Sequence, residues 1–448
     1  MHGKGFVEEL KRILLYGEDR DTLRGHMVWG TSGTFVIKCF STAVNLAVTL
    51  FLARLMGAKD YGAYTYAISW ALLLSIPAVM GLDTLLVREV ARYKAKEDWR
   101  SVRGILHWSN RVVSLATGGM TLIFVVVICL LHRRFEPSTS LWIAIPLLPL
   151  LSFIRLKQGA IQGLGYVVEA QMPFLLILPL LFLLFMGLLY VSFGLTASSV
   201  VGIRVLAAAI AFLVVTCLLS KRLPNFARRL SPSSHSREWL KSALPLVLMG
   251  TTAVINQRIS TVMVGSFLGP KAAGIFDIAF KGGALVSFIA VAVNMPLAPA
   301  VAGLYAQRDT KRLQRLVTKS ARVAFIGSLP IAFGLIFFGR WLLLVFGKDF
   351  IEGTIALAIL TVGQLISVGM GSLSLLLNMT GHELYTVKGI GIGAMLNILF
   401  SAAFIPIWGI EGAAVATAVS TLILKVLLLV WVHKKVGLHP TVLGVAGS

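Results

Sequence analysis

Apolar residues along this chain run in long, nearly continuous blocks, and short polar or basic segments separate them. Each block is about 20 residues or longer, the length a helix needs to cross a bilayer. The blocks predict twelve transmembrane helices, over residues 28–54, 64–88, 105–131, 140–163, 169–193, 197–220, 241–267, 274–303, 317–339, 353–378, 386–406 and 410–432. In hydrocarbon only helices or closed barrels satisfy every backbone N–H and C=O. These blocks are too long and too continuously apolar for barrel strands. The expected fold class is an all-α integral membrane protein.

Composition agrees: 57% of residues are hydrophobic and 13% charged, and the mean hydropathy of +0.85 lies far outside the soluble range. The formal net charge of +22 would suit nucleic acid if it were clustered on a soluble surface. Instead it alternates. Arg92, Lys94, Lys96, Arg100 and Arg103 separate helices two and three; Lys221, Arg222, Arg228, Arg229, Arg237 and Lys241 separate six and seven; Arg308, Lys311, Arg312, Arg315, Lys319 and Arg322 separate eight and nine. The other connections carry few basic residues. This is the positive-inside pattern, which places both termini in the cytoplasm of a multi-pass protein of the inner cell membrane. Nucleic acid is not an expected partner; membrane lipids are, through the basic loops. Residues 1–27 lack the apolar core of a cleavable signal, and Phe6, Leu10, Ile13 and Leu14 suit a short amphipathic cytoplasmic segment. Cys39, Cys129 and Cys217 fall in apolar spans and are read as packing residues.

The stretch 223–238 holds prolines, serines and arginines but no apolar run, and reads as a cytoplasmic linker. It divides an N-terminal lobe, 28–222, from a C-terminal lobe, 239–434, with 435–448 as a cytoplasmic tail. The halves echo each other at an offset of 212 residues: Gly57 falls on Gly269, Lys59 on Lys271, Gly62 on Gly274, Tyr64 on Phe276 and Tyr93 on Tyr305. Six helices per half start both halves on the same side, so the repeat is parallel and its axis runs along the membrane normal. Two pseudo-symmetric six-helix bundles with a site between them are expected.

No phosphate-binding glycine loop, His-Glu-x-x-His or paired-cysteine spacing is present, and short outer loops leave no room for a catalytic domain. The reading is therefore not an enzyme, with no cofactor and no metal.

Leu52-Ala53-Arg54-Leu55-Met56-Gly57-Ala58-Lys59-Asp60-Tyr61-Gly62-Ala63-Tyr64 resembles the opening of the polysaccharide-transporter family, the oligosaccharide-lipid flippases related to the multidrug and toxin extrusion (MATE) exporters. Gly81-Leu82-Asp83-Thr84 and Gly274-Ile275-Phe276 extend the resemblance. Ser260 stands where the family pattern suggests an acidic residue, so proton coupling is not expected there. The resemblance implies a V-shaped pair of bundles that alternates a central cavity between the two sides. It also implies the cargo, a polyprenyl-diphosphate-linked oligosaccharide carried from the inner to the outer leaflet. Glycosyltransferases and a polysaccharide polymerase would then be partners.

Charges at membrane depth cost several kcal/mol unless they meet water or a partner, and so mark candidate sites. Arg258 near the middle of helix seven, Lys38 within helix one, Lys281 in helix eight and Arg204 in helix six are candidate diphosphate or glycan ligands, with Asn45 and Gln257 as polar contacts. No acid lies within one helical turn of Arg258. Lys281 could instead pair with Asp277 one turn away, and Lys38 could snorkel to the inner surface. Arg155, Lys157 and Arg88 lie close enough to the cytoplasm to act as topology charges. Asp83 and Asp277 are the candidates for ion coupling. An excess of buried cations suits an anionic cargo. The alternative, a MATE-type cation-coupled multidrug exporter, needs more buried carboxylates than this chain supplies.

Overall fold

The computed structural model describes residues 23–132, 139–192, 195–224, 239–240 and 258–442, together with Phe226, Ser231 and Ser236; side chains are described from Phe40 onward except at 131–132, 191–192 and 295–296. Every regular element among them is helical. In chain order these are α1 (Leu23–Val79), α2 (Leu82–Ala95), α3 (Trp99–His132), α4 (Thr139–Ala144), α5 (Leu147–Gly163), α6 (Val167–Met172), α7 (Leu178–Ser192) and α8 (Ala197–Arg222). They continue as α9 (Arg258–Leu268), α10 (Pro270–Ala284), α11 (Phe288–Ala306), α12 (Thr310–Phe346), α13 (Thr354–Gly369), α14 (Leu373–Met379) and α15 (Glu383–Val436).

Nine helical stretches among the described residues are long and apolar enough to span a membrane. Two of them are double. Gly57 (φ 73°, ψ 175°) breaks α1 into two arms, and Gly409 (φ 60°, ψ −132°) does the same in α15. The layout is compatible with twelve crossings, but most of the seventh, residues 241–257, lies outside the described set. The outer surface carries large apolar side chains such as Leu115, Phe337 and Ile407, as a lipid-facing shell requires. Cys129 and Cys217 belong to this exposed surface, which corrects their reading as packing residues.

The two repeats meet where the sequence echo is strongest. Gly269 (φ 87°, ψ 176°) adopts almost the conformation of Gly57, so each repeat turns through a left-handed glycine before its next helix. Beyond these turns the second arm of α1 packs along α10, with Gly62 against the backbone of Pro270 and Gly274 against that of Ala58. Lipid tails are as apolar as leucine, so helices in a bilayer associate through close backbone contact rather than hydrophobic transfer. Glycine permits that contact.

Two further features tie segments outside the spans to the bundles. Trp239, expected in the C-terminal lobe, is buried among Leu82, Tyr93, Val102 and Ile105 of the N-terminal lobe. Its indole N–H donates to the Tyr93 hydroxyl at 3.0 Å. The segment after α15 lies across the C-terminal lobe: the Gln314 side chain brackets the backbone of His439, and Arg322 donates to the carbonyl of Val442.

Candidate functional site

A cavity of about 330 Å³ lies between the lobes. Both arms of α1 supply its wall, and each does so with one helical face. Ser41, Asn45, Val48, Thr49 and Leu52 follow the spacing of a single stripe on the first arm, as do Tyr61, Tyr64, Thr65, Ile68 and Leu72 on the second. Leu147 and Leu151 of α5, Phe174, Leu175 and Pro179 of the fifth span, Arg204 of α8, Arg258 of α9 and Lys281 of α10 complete it.

The polar end of the cavity is a charge network that crosses the lobes. Asp277 of α10 is buried, with 1% of its side chain exposed. Lys281 reaches it at 2.7 Å and Arg258 at 3.7 Å. From the opposite lobe the Tyr61 hydroxyl donates to Asp277 Oδ2 at 2.7 Å. Lys281 also donates to that hydroxyl at 3.1 Å and to Thr49 Oγ1 at 3.5 Å. Stripping one partner from a buried ion pair costs about 3–5 kcal/mol, so these groups constrain one another. Arg204 has no carboxylate partner among the described residues; its guanidinium lies 5.0 Å from the Phe182 ring, which stacks on Tyr64. Three cations thus face one carboxylate.

Further inter-lobe contacts cluster at the same end. Tyr66 and Ser266 share a hydrogen bond of 2.8 Å, Arg54 donates to the carbonyl of Val345 at 3.3 Å, and Tyr61 meets Phe350 edge-on. This is the end of the Lys59 and Lys271 turns, the side with few basic residues.

The structure therefore places Asn45, Arg204, Arg258 and Lys281 in the lining of one cavity, with the buried Asp277 against Arg258 and Lys281. The Asn45 amide donates to the carbonyl of Ser41, a local bond on its own helix. The anion near Arg258, absent from its own helix, arrives from α10. Asp83 is not part of the cavity: it sits in the first turn of α2, where its carboxylate accepts from the backbone N–H of Thr84. Gln257 and the side chain of Lys38 lie outside the described residues. Tyr61, Tyr64 and Thr49 were missed as cavity residues. Tyr61 precedes the paired Gly62, and that position was the available signal.

Ser260, at the position where an acid was expected, lies in a neutral buried cluster. Its hydroxyl meets Asn397 Oδ1 at 3.2 Å and Thr417 Oγ1 at 2.9 Å, and Ser401 donates to the same Asn397 oxygen.

The chain is 25% identical over 245 residues to the probable low-salt glycan biosynthesis flippase Agl15 of Haloferax volcanii, covering 52% of this chain and 49% of that protein. It thus spans about half the length of that relative. It is 23% identical to the capsular polysaccharide biosynthesis protein CapF of Staphylococcus aureus, over 88% of this chain and 96% of CapF. Its fold resembles an inward-facing MATE family transporter of the MOP superfamily, with a TM-score of 0.74, 15% identity and coverage of 89% and 94%. It also resembles the lipid II flippase MurJ in an inward closed conformation, with a TM-score of 0.69, 16% identity and coverage of 90% and 87%. Residues 51–353 match the family described as polysaccharide biosynthesis protein. A multi-pass helical membrane protein with paired lobes and a cationic cavity between them, this chain belongs to that family.

Proposed function

We propose that this protein flips a polyprenyl-diphosphate-linked oligosaccharide from the inner to the outer leaflet for surface polysaccharide synthesis, by alternating access. The carrying observation is the charge of the cavity: Arg204, Arg258 and Lys281 against Asp277. A diphosphate diester bears two negative charges at neutral pH and would balance the surplus. Arginine forks match phosphate oxygens, and a low-dielectric wall strengthens each contact. The tyrosine and threonine hydroxyls of α1 would receive the sugar. The flippase relatives and the flippase-like fold support the same reading.

In this reading both termini are cytoplasmic, the protein lies in the inner membrane, and the structure is the inward state. The lobes touch at the end with few basic residues, the outer side by the positive-inside rule. The protein acts as a carrier and not as a catalyst; glycosyltransferases supply its cargo and a polymerase consumes it. An exporter of organic cations fits less well, because the same three cations would repel that cargo.

Reconstituted liposomes test the reading. A fluorescent polyprenyl-diphosphate glycan should become accessible to an external quencher only in vesicles holding the protein. Equal flipping of a dialkyl alcohol lacking the diphosphate would overturn it.

A further inference from the structure

Arg155 of α5 is not used by the site described above. Leu147 and Leu151 line the cavity, and Arg155 follows them at the spacing of one helix face, one turn nearer the basic-loop end. Its guanidinium lies 5.8 Å from the ring of Phe174, itself a cavity residue. Among the described residues it has no carboxylate within ion-pair distance and no hydrogen-bond acceptor; Asp83 acts on it only through space. Five N–H donors held partly out of water with one aromatic face for company form an incomplete site.

Its height separates it from the other cations. Arg155 is eight residues from the end of α5 at Gly163, about 12 Å along the axis, whereas Arg204 is eighteen residues from the matching end of α8 at Arg222, about 27 Å. Roughly 15 Å of helix axis lies between the two levels, more than one diphosphate can bridge.

We propose that Arg155 forms a first anion subsite at the entry side of the cavity, where the diphosphate of the cargo lodges before it reaches Arg204, Arg258 and Lys281. The proposal rests on the flippase reading. Phe174 lies 5.8 Å from the guanidinium, whose N–H donors are left for phosphate oxygens. Two separated stations let a doubly charged group advance without one deep well from which it could not leave, as multi-site binding does in ion pathways. Lys157 supplies a control. It lies two residues on, about 200° round the helix, and packs on Phe212 at 4.9 Å instead of following the cavity face.

The test uses the full-length protein in lipid nanodiscs, with farnesyl diphosphate as probe and farnesol as the uncharged control. Arg155→Gln should weaken farnesyl diphosphate binding about tenfold, the scale of one charge-assisted contact, with the unliganded melting temperature unchanged. Arg155→Lys should restore part of the loss, and Lys157→Gln should leave binding as in the parent. In liposomes Arg155→Gln should raise the half-saturating cargo concentration more than it lowers the maximal rate. If Arg155→Gln folds poorly, Arg155→Met, which keeps the apolar stem, carries the same expectation. Unchanged binding in the Arg155 variants alongside weakened binding in Arg258→Gln overturns the subsite and leaves the flippase reading standing. Equal loss in Arg155→Gln and Lys157→Gln also overturns it, since that reports a diffuse potential. No preference of the parent for farnesyl diphosphate over farnesol overturns both.

Discussion

Gly62 and Gly274 stand 212 residues apart in sequence and touch in space, each occupying the point where a Cβ would enter the other lobe's backbone. A Cβ on Gly62 would lie 1.8 Å from the carbonyl oxygen of Pro270, and one on Gly274 would lie 2.7 Å from that of Ala58. Ala58 and Pro270 are themselves repeat partners. The two contacts are therefore related by the internal symmetry, and the axis of the molecule passes between the glycines.

Gly62→Ala should open this contact. Overpacking costs about 1–3 kcal/mol, roughly a 5- to 150-fold shift away from lobe closure at this end. A cysteine at Ser266, labelled from outside the cell, should react faster in the Gly62→Ala background at equal protein abundance. Unchanged labelling would mean that the glycine contact does not limit closure.

Tyr61→Phe and Asp277→Asn should separate two roles of the central network. Losing the Tyr61 hydroxyl removes one inter-lobe bond to a carboxylate, worth about 1.5–3 kcal/mol of lobe closure. Asp277→Asn leaves Arg258 and Lys281 without their counter-charge and should lower the melting temperature more than Tyr61→Phe does. Farnesyl diphosphate should recover a larger share of the loss in Asp277→Asn, because it replaces the missing anion. Equal ligand shifts in both variants would remove Arg258 and Lys281 from the anion site.

Arg258 should behave as a binding group when export and folding are measured separately. Arg258→Glu should abolish surface glycan while leaving protein in the membrane, and Arg258→Lys should be intermediate because it keeps charge and loses the planar fork. The measurement is surface polysaccharide per molecule of folded transporter. Normal export by Arg258→Ala at normal abundance would exclude the residue.

Cysteine accessibility in intact cells should find positions near Lys59, Ser138, Ser192 and Lys348 outside and positions near Lys96, Ser233 and Arg312 inside. Labelling of Ser233 from outside would invert the orientation on which the inward reading of the cavity depends.

The parts legible in sequence were those whose physics is local. Hydrocarbon length and backbone satisfaction mark each span without reference to its neighbours, and the loop charges follow from where cations can rest. The glycine turns were legible for a similar reason: φ values of 73° at Gly57 and 87° at Gly269 suit glycine, and the repeat preserved both. Buried cations were visible because charge at membrane depth is conspicuous in an apolar helix.

The Lys281–Asp277 pair was legible, one turn apart on a single helix, but partners that come from other helices were not. Nothing near Arg258 in sequence announces Asp277, and nothing near Lys281 announces Tyr61 of the opposite lobe, 2.7 Å from the same carboxylate. Arg155 shows the converse. Its position alone suits a topology charge, and only the packing of α5 sets it beside Phe174, a residue of the cavity lining. The sequence by itself determined a helical membrane protein of two related halves with an excess of buried cations, since hydropathy, repeat and charge are properties of the chain. Tertiary structure alone decided which cations share a cavity, which of them a carboxylate already holds, and where the lobes close. Those are matters of distance between helices, and in a bilayer that distance is set by backbone contact at a few small residues.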